Sequence, residues 1–147
     1  MRQGLVILLD DARRKLSSES ERVDPRAVAE LEGELGRPLP LLLKVVWQVW
    51  GAGDLGRLHL SGPRQISMGL AASDRFLDEG LLPFASGPDG EPWGLQLGRQ
   101  EDPDVVLAVD FPRRLRSVLG RLSTAVEIAI YEALQERPVL GEDEKTH

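Results

Sequence analysis

The chain has 147 residues, of which 41% are apolar, and this composition is sufficient for one packed core. Its 18 Lys and Arg stand against 24 Asp and Glu, so the net charge is −6. This acidity excludes a general attraction to phosphate backbones, and no nucleic-acid partner is expected. It favours a basic partner, although acidity is also an ordinary route to solubility. The chain contains no cysteine, which excludes disulfides, thiol catalysis and cysteine-ligated metals.

A first helix is predicted over Gln3–Leu16, because apolar residues recur there at helical spacing. The apolar run Leu5–Leu9 is too short to span a membrane and has no cleavage site of the signal-peptide type. We therefore expect a cytoplasmic protein with no membrane partner. The polar segment Ser17–Arg22 is predicted to be a loop.

A second helix is predicted to begin at Asp24-Pro25, since Asp can cap free N–H groups and Pro suits the first helical position. Gly36 is expected to end it. The next segment, Leu41–Trp50, fits a helix and also alternates like a strand. Pro40 at its start favours the helix.

Short strands are predicted after these helices. Arg57–Leu60 is one candidate, and Leu81–Ala85 with Trp93–Leu97 is predicted to form a hairpin around a Pro-Asp-Gly turn. Between them, Ser61–Arg75 is expected to be mostly loop, with a short helix near Leu70–Leu77. Val105–Val109 is the clearest strand.

The segment Phe111–Leu122 has no assignment from the sequence. Thr124 and Glu127 fit a capping box, which predicts a C-terminal helix ending near Glu136, before Arg137-Pro138. The element order predicts an α+β fold: a small mixed or antiparallel sheet flanked by N-terminal helices and a C-terminal helix. We assign residues 1–137 to a single domain and 138–147 to a disordered acidic tail.

The segment Gly51–Gly56 matches the G-x-G-x-x-G pattern of dinucleotide-binding loops. That pattern binds pyrophosphate only where a helix follows it, and Arg57–Pro63 does not predict a helix. We therefore interpret these glycines as a helix-ending turn and expect no bound cofactor.

No catalytic or metal-binding constellation is evident. His59 is the only histidine outside the C-terminal tail, and a zinc site normally needs three or four ligands, so no metal is expected. Serines are available for a Ser–His–acid arrangement, but none lies in a nucleophile-elbow sequence. The acidic residues on predicted loops are interpreted as solvated and able to form a patch for a basic partner; they are Asp89, Glu91, Glu101, Asp102 and Asp104.

Three tryptophans supply the remaining candidates for binding. Trp47 is predicted to lie in the core. Trp50 and Trp93 stand beside glycine-rich turns, where part-exposed tryptophans would act as interface anchors.

Two motifs make the chain resemble the SUKH superfamily, the Smi–Knr-like domains. The first is the helix junction Leu31–Pro40, followed by an apolar helix that ends at Gly51. The second is Leu82-Pro83-Phe84-Ala85, then a Gly/Asp turn and the strand Trp93-Gly94-Leu95. The match covers roughly Val28 to Leu134. It departs from the family pattern in lacking Asn-Gly after the third helix and the usual Phe pair in the last helix.

The resemblance implies a mixed sheet with flanking helices, no catalytic centre, and a bacterial immunity protein that neutralises a secreted toxin, often a nuclease. We therefore predict a non-enzymatic binding domain for a basic toxin, with Trp50 and Trp93 as anchors and Asp54, Asp89 and Glu91 supplying charge. The alternatives are a regulatory or scaffold module, for example of a secretion system, and a nucleotide-binding protein that uses Gly51–Gly56. The sequence does not predict an oligomeric state.

Overall fold

The computed structural model describes residues 3–16, 20–72, 77, 80–98, 101–110 and 115–145. Five helices lie within these residues: α1 Gln3–Leu16, α2 Pro25–Leu35, α3 Leu41–Val49, α4 Pro63–Ala72 and α5 Leu122–Lys145. The strands are β1 Ser20–Glu21, β2 Ala52–Leu55, β3 Leu58–Leu60, β4 Leu81–Ser86, β5 Pro92–Gln96, β6 Asp104–Asp110 and β7 Leu115–Arg121.

All seven strands form one antiparallel sheet in the order β1-β2-β3-β4-β5-β6-β7, so each strand pairs with the next in the chain. Short turns join β2 to β3 and β4 to β5, as antiparallel neighbours allow, whereas α2 and α3 lie between β1 and β2 and α4 lies between β3 and β4. With three helices before most of the sheet and one after it, the chain has the predicted α+β class, and the sheet is antiparallel.

The first three helices follow from local sequence signals. The carboxylate of Asp24 accepts a 2.9 Å hydrogen bond from the backbone N–H of Arg26, which caps α2 as predicted. Gly36 ends α2 at φ 68°, a left-handed conformation that favours glycine. The ambiguous segment Leu41–Trp50 is helical to Val49, because its apolar residues bury one helical face while Gln48 stays exposed.

Glu32 connects the end of α2 to the start of α3. Its carboxylate oxygen Oε2 accepts hydrogen bonds from the backbone N–H of Leu39, at 2.7 Å, and from Lys44 Nζ, at 3.1 Å. Burial acts to raise the pKa of Glu32, but the Leu39 hydrogen bond and the Lys44 ammonium outweigh it, so the pKa is lowered below its usual 4.5. Glu32, the second residue of the Leu31–Pro40 junction, therefore holds the end of α2 against the start of α3.

Three elements differ from the predictions, two of them because long-range strand pairing decides them. The predicted loop at Ser17–Arg22 contains the two-residue strand β1, which pairs with β2. Residues 52–55, predicted as part of a turn, form β2. Helix α4 begins at Pro63, well before the predicted position, and the side chain of Gln65 accepts a 3.0 Å hydrogen bond from the N–H of Gly62.

The C-terminal part also differs. Within the unassigned segment, Leu115–Arg121 forms β7, whose pairing with β6 is interrupted by two register shifts, and residues 111–114 lie outside the described residues. Helix α5 starts at Leu122, which places Thr124 inside the helix and makes the predicted capping box wrong. The predicted end near Glu136 is also wrong, since the helix continues through Pro138 to Lys145. Pro138 removes one backbone hydrogen bond from the helix, and its fixed φ near −65° is compatible with helical backbone.

One cluster of buried side chains from helices and strands forms the core. Trp47 lies in it, as predicted, and its indole Nε1 donates a 3.0 Å hydrogen bond to the carbonyl of Ser61. This bond ties α3 to the end of β3. Among the described helices, none combines the length and the apolar character that crossing a bilayer requires.

The Glu32 contacts predict a pH-dependent contribution to stability. Because the pKa is lower in the folded state, the stabilisation is present above the unfolded-state pKa and is lost as pH falls through the folded value. We expect Glu32→Gln to lower the free energy of unfolding by about 1–2 kcal/mol at neutral pH. The difference from the parent protein should shrink below about pH 4.5.

Urea unfolding at several pH values measures this difference. Glu30→Gln, an exposed position on the same helix, is the control and should change little. A destabilisation by Glu32→Gln that is independent of pH would contradict the assigned role.

Candidate protein-binding surface

A row of four residues crosses the sheet near one end. Asp54 on β2 pairs with His59 on β3, His59 pairs with Ser86 on β4, and Ser86 pairs with Pro92 on β5. Directly opposed residues point to the same face of a sheet. His59 is exposed while Leu58 and Leu60 are buried, so this row lies on the face turned away from the core.

Asp54 and His59 form an ion-pair geometry within the row. Asp54 Oδ1 lies 2.7 Å from His59 Nδ1, and the two side chains are 67% and 47% exposed respectively. Water screens such a pair strongly, so its contribution to stability is small. Its main effect is to hold the imidazole in one orientation on the surface.

The turn between β4 and β5 extends the row with two more carboxylates. Gly87 donates to the carbonyl of Glu91 at 2.8 Å, and Glu91 Oε1 accepts a 2.8 Å hydrogen bond from the backbone N–H of Asp89. Asp89 is exposed. We call Asp54, His59, Asp89 and Glu91 the acidic sheet end. Three strand spacings of about 4.8 Å separate β2 from β5, so these groups fit within one protein interface.

Trp93 lies next to the β4–β5 turn and is half-buried, packed against the core. It pairs with Ala85, which pairs with Leu60, so it lies on the core face of the sheet, opposite the row. Any Cβ at Gly87 would meet its indole Nε1 and the carboxyl group of Glu91, so glycine is required there. The indole Nε1 is itself buried and has no hydrogen-bond partner among the described residues. The structure therefore places the Glu91 carboxyl group between the Trp93 indole and the backbone N–H of Asp89.

Trp50 does not belong to this surface, and the expectation that it is part-exposed is wrong. Its side chain is 0% exposed and belongs to the core. Its carbonyl accepts a 2.5 Å hydrogen bond from the Arg13 guanidinium of α1. The residue ends α3 and is buried between packed elements, so it cannot serve as an interface anchor.

The glycines at Gly51–Gly56 allow close packing between elements of this chain. Gly51 follows α3, and an added Cβ there would collide with the carbonyl of Glu21 in β1. Gly56 has φ 62° and opens the two-residue turn between β2 and β3. A Cβ on Gly56 would lie 2.6 Å from the carbonyl oxygen of Ala129 in α5. These glycines allow another group to come close to their backbone, as in a phosphate-binding loop, but here that group is the backbone of β1 or α5 of the same chain.

The row Asp54–His59–Ser86 also invites comparison with a serine-hydrolase triad. The acid–histidine contact is made, but no hydrogen bond joins Ser86 to His59 among the described contacts. Ser86 precedes a strand–turn–strand connection, whereas a nucleophile elbow leads into a helix. Within the described residues no group of three His, Cys, Asp or Glu could hold a metal ion.

Asp102 has a role that the sequence interpretation missed. It was expected to be solvated with its acidic neighbours, but it is only 8% exposed. Its two oxygens accept hydrogen bonds from the backbone N–H of Ser123 at 2.9 Å and from Ser123 Oγ at 2.6 Å. A carboxylate from the loop before β6 thus caps α5, where its charge also favours the helix N-terminus.

Comparison of the chain with protein-family models, with curated proteins and with solved structures gives no match. The resemblance to the SUKH superfamily therefore stays a prediction, and the function proposed below depends on the surface itself.

The close packing of Gly56 predicts that adding a single methyl group there destabilises the protein strongly. Gly56→Ala should lower the free energy of unfolding by about 2–4 kcal/mol, because the left-handed backbone is strained and the Cβ meets α5. Gly69→Ala, at an open helical position in α4, is the control and should be neutral or slightly stabilising.

A panel of dinucleotides should not raise the melting temperature of the parent protein, and an increase would support a ligand role for Gly51–Gly56.

The Asp102 cap predicts that substitutions at this position lower the free energy of unfolding by amounts that depend on how many acceptor oxygens remain. Asp102→Ala should destabilise the protein by about 2–3 kcal/mol, because it leaves the N–H and hydroxyl of Ser123 without these acceptors. Asp102→Asn keeps one acceptor oxygen and should cost less. Asp89→Ala removes an exposed carboxylate and should change stability little. Equal unfolding free energies for the Asp102 and Asp89 alanine variants would contradict the capping role.

Proposed function

We propose that this protein is a non-enzymatic binding protein of the immunity type, which binds a basic toxin domain and neutralises it. One observation carries the proposal: the strand register brings Asp54, Asp89 and Glu91 to one end of the sheet, beside Trp93. Membership of the SUKH superfamily belongs to this proposal and is supported by the two sequence motifs and the α+β class, whereas the sheet is antiparallel and not the mixed sheet that the resemblance implies.

The electrostatics of the acidic sheet end support a basic partner. Exposed carboxylates on a chain of net charge −6 speed the encounter with a positive surface and align it. If the toxin cleaves nucleic acid, its phosphate-binding surface must be positive, and these carboxylates compete for the same groups. Neutralisation then requires only that the complex covers that surface, with no chemistry by this protein.

Trp93 supplies the apolar part of the proposed interface. Its ring is fixed by packing against the core and over Gly87, so little side-chain entropy is lost when a partner covers its exposed part. Trp93 pairs with Ala85, and Ala85 with Leu60, so its ring lies on the core face and reaches the acidic sheet end only at the turn, beside Gly87 and Glu91. There its exposed part would add an aromatic contact at the edge of the polar surface.

Co-expression with the toxin domain encoded by a neighbouring gene tests the class of function. Rescue of growth and co-purification would support the immunity role. Without a neighbouring toxin gene, the same surface would fit the regulatory or scaffold alternative.

Charge reversal tests the surface. Asp54→Lys with Asp89→Lys should weaken binding of the toxin domain by about 100-fold and flatten its salt dependence, because like charges then oppose each other. Glu91 is left unchanged because its carboxylate holds the turn. The matched control is Glu30→Lys with Glu101→Lys, which changes the net charge equally at exposed sites elsewhere. Equal affinities for the two double variants, measured by calorimetry, would exclude the acidic sheet end.

A further inference from the structure

Helix α5 has apolar side chains on two opposite faces. One face packs in the core through Leu122, Val126, Ala129, Ile130 and Ala133. Ile128 and Tyr131 are nevertheless 54% and 51% exposed. With 3.6 residues per turn, their mean direction lies about 170° from that of the core residues. The helix thus presents a second apolar face directly away from the protein.

These two residues belong to a continuous line along the helix. Thr124, Ile128, Tyr131 and Gln135 are all exposed and follow each other at spacings of four, three and four. This is the spacing of the a and d positions at which one helix packs against another. We call these four residues the α5 stripe. Its centre is apolar, its ends are polar, and it has room for two to three turns of a second helix.

Carboxylates flank the α5 stripe on both sides. Glu127 and Glu132 lie about 60° to 80° from its centre in opposite directions, the places that e and g residues occupy in a helix pair. Glu127 is exposed and Glu132 half-buried. An apolar line between two acidic borders is complementary to an apolar line between two basic borders.

We propose that the α5 stripe binds a basic amphipathic helix of a partner protein. The charges decide between occupants: a second copy of this chain would bring four carboxylates to one seam, and like charges at these positions oppose pairing. A basic helix would place Ile128 and Tyr131 between its own apolar residues and pair its Lys or Arg with Glu127 and Glu132. This inference rests on α5 alone and does not require the toxin partner proposed for the acidic sheet end.

A designed peptide tests the charge preference. The probe is a labelled three-heptad peptide with Ile and Leu at a and d and Lys at e and g. The matched peptide carries Glu at e and g on the same apolar seam. Fluorescence anisotropy with the full chain should give at least about tenfold tighter binding for the Lys peptide, because its borders complement Glu127 and Glu132.

Variants of the protein separate the stripe from general acidity. Ile128→Ser with Tyr131→Ser should reduce binding of the Lys peptide by about tenfold or more, whereas Met68→Ser, a more exposed apolar residue on α4, should leave it unchanged. Glu127→Gln with Glu132→Gln should weaken binding and its salt dependence. Glu30→Gln with Glu101→Gln removes the same charge elsewhere and should have a smaller effect.

Several results would overturn the proposal. Binding of neither peptide at millimolar concentration, equal binding of both, or equal effects of Met68→Ser and the stripe variant would each do so. A dimer in analytical ultracentrifugation that the stripe variant abolishes would assign the surface to a second copy. Stripe-dependent binding to zwitterionic lipid vesicles would assign it to a membrane. Melting curves for each variant show that the fold is retained.

Discussion

The register of β2 to β5 is the constraint on which the acidic sheet end depends. Side chains alternate between the two faces of a strand, so a slip of one residue moves every side chain to the other face. Such a slip in β3 would turn His59 to the core and expose Leu58 and Leu60, which are now buried. The free energy of burying these leucines therefore also holds His59, and with it the Asp54–His59 pair, on the solvent side.

The orientation of α5 depends on two contacts that fix different parts of the helix. Asp102 binds its first turn through Ser123, and Gly56 lets the β2–β3 turn contact the backbone at Ala129. Together they limit rotation of the helix about its axis. Ile128 and Tyr131 point to solvent because Val126, Ala129 and Ile130 are held against the core, so their exposure is a consequence of the fold.

Local signals in the sequence predicted much of the fold. The bounds of α1, the cap at Asp24, the glycine end of α2 and the β4–β5 hairpin all depend on residues close together in the chain. The sequence-based predictions were wrong where contacts between residues distant in the chain determine the secondary structure. Strand β1 has only two residues and exists through its partner β2, and α5 is capped by Asp102, 21 residues away from Ser123.

The candidate surface shows the same division. The turn carrying Asp89 and Glu91 was evident from its Gly and Pro residues, and its position beside Trp93 follows from the hairpin. Trp50 was misjudged because an adjacent glycine suggested exposure, whereas the close approach of β1 to Gly51 encloses that end of α3. Gln65 was the available signal for α4, since a side chain three residues after a helix cap can bind its N–H.

The two proposed surfaces meet at the β2–β3 turn. A Cβ on Gly56 would lie 3.2 Å from Cβ of Glu132, which borders the α5 stripe. Asp54 precedes Gly56 by two residues, a step of about 7 Å along a strand. Asp54 and Glu132 thus lie on elements that are in contact, and their charges interact most strongly at low salt, where the Debye length is long. A positive group bound beside Asp54 therefore reduces the negative potential at Glu132 as well, so occupation of one surface by a basic partner changes the electrostatic attraction of the other.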